Sequence, residues 1–101
     1  MNSNVKILEN NAQKSFDRTI SAIKERYGKE IDLINGLIDQ ATSKMEFKLN
    51  LNCINYDWLN DEVARKLRLY YISQGYNANY YTSNNSLIIF WGMKWQDYTF
   101  E

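Results

Sequence analysis

The chain has 101 residues, with twelve Lys+Arg balanced by twelve Asp+Glu, eight tyrosines, four phenylalanines, three tryptophans, one cysteine, and neither histidine nor proline. A chain of this length builds one modest core and not two, so a two-domain enzyme is excluded, and zero net charge removes the bulk attraction that drives non-specific binding to nucleic acid. Without histidine no His-based triad and no His-Cys zinc site can be built, which lowers the expectation of catalysis and leaves no metal or cofactor site in view.

From Ala12 the apolar positions run Phe16, Ile20, Ile23, Tyr27, Ile31, Ile34, Ile38, Ala41 and Met45, in steps of three and four. That spacing predicts a long amino-terminal helix with one continuous stripe. Asn10 or Asn11 caps its start, with Gln13 in the capping-box position for Asn10. Unbroken, residues 11–44 span ~50 Å at 1.5 Å per residue, more than the width of a globule this small. Leu33 and Leu37 widen the second half of the stripe and place it in the core. The narrower first half, Phe16, Ile20, Ile23 and Tyr27, reads as a seam for self-association. A kink near Gly28 is expected, and a break there that folds the two pieces back as a hairpin is the alternative.

Met45, Phe47, Leu49, Leu51 and Cys53 then alternate with Glu46, Lys48, Asn50 and Asn52. Such alternation predicts a strand with one face on a core and one in water. Asn60 caps a second helix with Asp61 and Glu62 in its first turn, Leu59, Val63, Leu67 and Tyr70 or Tyr71 toward the sheet, and Gly75 at its carboxyl-terminal cap. Residues 76–81 and Leu87 to Trp91 form a hairpin across Asn84-Asn85, which accept positive φ. A helix between the first two strands favours their parallel pairing. The expected fold is α+β: a helical arm and core helix over 1–44, then a β-α-β-β unit over 45–101 forming a small three-stranded mixed sheet with helices on one face, all in a single domain.

Lone Cys53 forms no internal disulfide, no charged segment followed by an apolar one opens the chain, and the longest apolar runs fall far short of the ~20 residues that cross a bilayer. A reducing, intracellular setting without membrane association fits these features. The paired carboxylates Asp61 and Glu62 are explained by the helix dipole, Cys53 by burial, and the scattered glycines form no phosphate loop, so no catalytic residue is assigned.

The aromatics are unevenly placed, with ten of the fifteen at or after Tyr70. One sheet face cannot bury them all. Arg65, Arg68, Tyr76, Tyr80, Tyr81, Trp91, Lys94 and Trp95 are therefore the candidate ligand- or partner-binding residues. Aromatics beside these cations suit either base stacking with phosphate contact or the centre of a protein interface.

The alternating strand EFKLNLN, the helix ending in QGY and the closing LIIFW segment together resemble small, mostly uncharacterised proteins of tailed bacteriophages. Gly75-Tyr76 and Ile88 to Trp91 carry the match. Phe90 stands where those proteins tend to have serine, and Lys44-Met45 where they have glycine before the first strand. The resemblance spans roughly residues 30–92 and implies the fold more than any activity. The resulting expectation is a non-enzymatic, phage-like accessory protein in the host cytoplasm. It forms a homo-oligomer and binds a host protein or a small nucleotide in a counter-defence role. The alternative is a virion structural or assembly protein ordered by neighbouring copies.

Overall fold

The computed structural model describes residues 11–92 as helix α1 (Ala12–Arg26), helix α2 (Gly28–Ser43), strand β1 (Lys48–Asn52), helix α3 (Asp61–Ser73), strand β2 (Asn77–Tyr81) and strand β3 (Ser86–Phe90). This is an α+β architecture, with the helices packed against a three-stranded sheet.

The long apolar stripe is divided at Tyr27, whose backbone (φ −110°, ψ 29°) leaves the helical region between α1 and α2. Hydrogen bonds bridge the joint: the Tyr27 N–H donates to Ile23 O and the Ile31 N–H to Tyr27 O, both at 2.9 Å. One intervening residue is too short a loop for an antiparallel helical hairpin, so the two segments meet at a bend. Asn11 caps α1 by accepting from the Lys14 N–H at 2.9 Å. Asn10, expected to form a capping box with Gln13, lies outside the described residues, and the Gln13 side-chain amide donates to Asp17 one turn on.

Ile31, Ile34, Ile38 and Ala41 carry the buried face of α2. Leu33, expected in the core, is 54% exposed, because its position turns it off the stripe set by Ile31, Ile34 and Ile38; Leu37 is half-buried. The first strand begins at Lys48, and Met45 and Phe47, expected on the core face, are exposed. The helix end accounts for the loss. The Glu46 N–H donates to Ala41 O and the Met45 N–H to Thr42 O, the paired bonds of a Schellman cap, with Met45 in the left-handed position at φ 62°. Those bonds aim residues 45 and 46 at the helix end, so alternation toward the core starts only at Leu49, Leu51 and Cys53.

The end of α3 is built the same way with the expected residue. Gly75 sits at φ 96°, its N–H donates to Ile72 O, and the Tyr76 N–H donates to Tyr71 O. A side chain at such a position costs roughly 1 kcal/mol relative to glycine. Met45→Gly is therefore expected to stabilise the protein by about 0.5–1 kcal/mol, raising the thermal midpoint by several degrees in a calorimetric scan.

The strand order is β1-β3-β2, with both pairings antiparallel. This corrects the mixed sheet: β1 and β2 run parallel but do not touch, because β3 lies between them and the crossover through α3 skips one strand. Ser86–Phe90 is the most apolar of the three strands, whereas β1 and β2 carry asparagine at alternate positions. Central placement buries the first, and the polar positions tolerate the edges.

One cluster joins Ile23 and Tyr27 of the first helical stripe to Ile31, Ile34 and Ile38 of α2, Leu67, Tyr70 and Tyr71 of α3, and Leu51, Ala78, Leu87 and Ile89 of the sheet. The expected cap Asn60 is in place, accepting from the Val63 N–H at 2.9 Å. In the β2–β3 turn Asn85 alone of the two asparagines takes positive φ, at 52°.

Candidate binding surfaces

Strand register sorts the candidate residues onto different surfaces. On the helix side of the sheet stand Leu49 and Leu51 from β1, Leu87 and Ile89 from β3, and Ala78 and Tyr80 from β2. The opposite face is a grid of three rows across β1, β3 and β2: Lys48, Phe90, Asn77; Asn50, Ile88, Asn79; and Asn52, Ser86, Tyr81. Among the described residues no helix covers this second face. Asn50, Asn77 and Asn79 are exposed, Tyr81 is 45% exposed, and Ile88 and Phe90 are half-buried at the centre. Ser86 is buried, receiving a hydrogen bond from the Asn52 side-chain amide at 3.2 Å.

At the hairpin end, Arg65 reaches Asp61 one turn earlier, Nε to Oδ2 at 2.9 Å, and its guanidinium lies 5.4 Å from the Tyr80 ring centre. The Tyr80 hydroxyl donates to Asn85 Oδ1 at 3.2 Å. Hydrogen bonding to Arg65 holds the Asp61 carboxyl below its ordinary value and the Arg65 guanidinium above its own. Partial burial, then the neighbouring Cys53 and Asp61, hold the Tyr80 phenol up. Arg68 is also engaged, donating from Nε to Ala78 O at 3.0 Å and tying α3 to β2. Each arginine thus commits its Nε–H within the protein.

At the other end of β2, about 13 Å away along the strand at 3.3 Å per residue, Tyr76 joins an edge-to-face series of rings. Successive ring centres from Tyr70 through Tyr71 and Tyr76 to Trp91 are 5.1, 5.5 and 5.9 Å apart. The Tyr71–Tyr76 contact is the apolar contact that accompanies a Schellman cap. Beside it an open cleft of about 400 Å³ lies between α2 and the end of α3, with Asn35, Asp39, Gln74, Tyr70, Tyr71 and Tyr76 in its walls. Asn35 accepts from the Tyr71 hydroxyl at 2.8 Å, and Ile31 O accepts from it at 3.3 Å. Burial, then the adjacent Tyr70, Tyr76 and Asp32, push the Tyr71 phenol far above the ordinary tyrosine value. No lysine or arginine lines the cleft.

The structure therefore brings Arg65 to Tyr80 and Tyr76 to Trp91, separates these two pairs, and puts Tyr81 on the opposite side of the sheet. Lys94 and Trp95 lie outside the described residues. Of the seam, Ile23 and Tyr27 are buried in the core, Ile20 packs against it, and Phe16 is 44% exposed. The asparagine grid was missing from the expected site, although the strand alternation in KLNLN and NANYY carries it directly. The cleft had no such sign, because Asn35 and Asp39 meet Gln74 only through packing of α2 on α3.

No family model, no curated protein and no solved structure matches this chain. Among the described residues no helix is long and apolar enough to cross a membrane, and no group of three or more Cys, Asp or Glu is placed to hold a metal ion.

Proposed function

We propose that this protein is a non-enzymatic accessory binding protein of the phage-like kind that self-associates and engages a host protein, in a counter-defence role within the reducing host cytoplasm. The observation that carries this reading is the sheet face that no described helix covers. Its centre is the half-buried Ile88, flanked by Asn50 and Asn79 and bordered by Lys48, Asn77 and Tyr81, the layout of a protein interface with an apolar middle and a hydrogen-bonding rim. A protein partner is favoured over a nucleotide, since Asp61 offsets the charge of Arg65 and the Ala78 carbonyl ties Arg68 to β2, away from the Tyr76–Trp91 pair.

The face measures about 15 Å by 17 Å from strand spacing and length. That falls well short of the ~800 Å² per partner of a stable interface. The reading therefore includes self-association, for which α1 supplies material: residues 12–19 are all exposed, Phe16 among them. The same arm favours the second reading, a virion assembly protein whose α1 is covered by neighbouring copies, and mass spectrometry of purified particles decides between the two.

An Asn79→Arg/Tyr81→Ala variant tests the face directly, because both side chains are exposed and neither supports the core. It is expected to keep the wild-type melting temperature and to lose host-protein capture by about tenfold or more. Nucleotides are expected to leave the melting temperature unchanged. Equal recovery of the same proteins by both forms rejects the proposal.

A further inference from the structure

The two outer strands of the sheet have unlike edges. In β1 the residues that face β3 are fixed by two end rungs: the Cys53 N–H donates to Asn85 O and the Trp91 N–H to Phe47 O, both at 2.9 Å. In an antiparallel pair such residues alternate. The backbone N–H and C=O groups of Lys48, Asn50 and Asn52 consequently point away from the sheet. By the same alternation Asn77, Asn79 and Tyr81 face β3, and Ala78 and Tyr80 point outward along β2. There the Ala78 carbonyl is already taken by Arg68. Among the described residues none does the same for Lys48 or Asn50 on β1, and the Asn52 carbonyl is used by the Asn55 N–H at 3.0 Å. Exposed apolar side chains gather at this edge too: Met45, Phe47 and Ile54 are 86%, 56% and 88% exposed.

We propose that the β1 edge pairs with β1 of a second copy, antiparallel about a two-fold axis through Asn50, joining two three-stranded sheets into one. The strand is self-complementary in that register. Asn50 faces the partner's Asn50, Lys48 faces the partner's Asn52, and Leu49 faces the partner's Leu51. Every outward backbone group meets another outward group, the leucines continue the apolar side across the axis, and no lysine faces a lysine. Shifting by two residues in one direction sets Lys48 against the partner's Asn50 and forfeits rungs; in the other it crowds the turn at Asn52. Phe47 falls opposite the partner's Cys53, beside Ile54, which gives the exposed apolar residues a partner. The joined sheet carries two asparagine grids side by side, doubling the platform on which the proposed function rests. The pairing itself does not depend on what that platform binds or on α1.

Three substitutions at one position test it. In Asn50→Cys, made with Cys53→Ala, the paired Cα atoms stand about 5.5 Å apart, within disulfide range, so the protein is expected to oxidise to a covalent dimer in air. Asn50→Pro removes an N–H that faces outward, sparing the β1–β3 ladder, and is expected to weaken the dimer by about tenfold or more. Light scattering of the wild type is expected to give twice 12.0 kDa. Asn50→Lys, which sets two charges face to face without touching the backbone, is the second variant should proline disturb the strand. A wild-type monomer at tens of micromolar overturns the pairing. So does a dimer that survives both Asn50→Pro and Asn50→Lys but dissociates in Phe16→Asp, which assigns self-association to α1 instead. Failure of the intact wild-type dimer to capture any host protein counts against the proposed function alone.

Discussion

Tyr71→Ala is expected to destabilise the protein by about 3–5 kcal/mol, enough to unfold a domain of this size well below its normal transition temperature. Tyr71 is 1% exposed, stands between Tyr70 and Tyr76 in edge-to-face contact, and ties α3 to α2 through Asn35 and Ile31. Removing the side chain leaves a cavity at the junction of two helices and takes away the hydroxyl that donates to Asn35 Oδ1 and Ile31 O. Tyr71→Phe separates the parts: it keeps the ring, loses the hydroxyl bonds, and is expected to cost about 1–1.5 kcal/mol. Wild type and Tyr71→Phe also differ in alkali. Because the folded state holds the phenol neutral, its stabilising share is fully present below the ordinary tyrosine value near 10 and is lost as pH rises from there toward the elevated folded value. Stability of the wild type is thus expected to fall with pH above about 10 with this phenol contributing up to roughly 1.4 kcal/mol per unit, and Tyr71→Phe to fall less steeply in denaturant titrations at successive pH values.

The second large effect is expected on the central strand, where neighbouring isoleucines should behave oppositely. Ile89 is fully buried between Leu49 and Ala78 on the helix side, and Ile89→Ala is expected to cost about 2–5 kcal/mol. Ile88 lies between Asn50 and Asn79 on the uncovered side, and Ile88→Ala is expected to cost about 1 kcal/mol or less while weakening partner capture. Paired chemical-denaturation curves of the two variants measure the difference. Equal losses would mean that both faces of β3 are closed off in the folded protein, and would remove the platform from the proposed function.

The elements were legible because their signals are local. Asn60 announces α3 by its capping chemistry, Gly75 announces its end, and the three-four spacing of isoleucines announces the stripe. What failed was decided by contacts between distant residues. Whether β1 meets β2 or β3 depends on which strand can be buried on both edges, and the crossover rule describes direction without saying how many strands are skipped. The start of β1 was misplaced because a Schellman cap, built here around a methionine, overrides an alternation that is regular on paper. The candidate site was only partly legible for a related reason. Arg65 lies over the Tyr80 ring and Arg68 reaches the Ala78 carbonyl, but sequence proximity does not reveal that Asp61 already pairs with Arg65. Tyr80 and Tyr81 are adjacent in the chain and point to opposite sides of the sheet.

The strand order also sets when the protein can fold. Lys48 pairs with Phe90 and Asn77 pairs with the same residue, so neither outer strand has a neighbour until Ser86–Phe90 is present. During synthesis the three described helices and both flanking strands emerge first and wait without this sheet, their leucines and isoleucines uncovered. The arrival of five residues then closes both ladders at once. Such late, long-range closure makes folding slow for a chain this short and makes the interval before it the time of greatest exposure to aggregation and proteolysis.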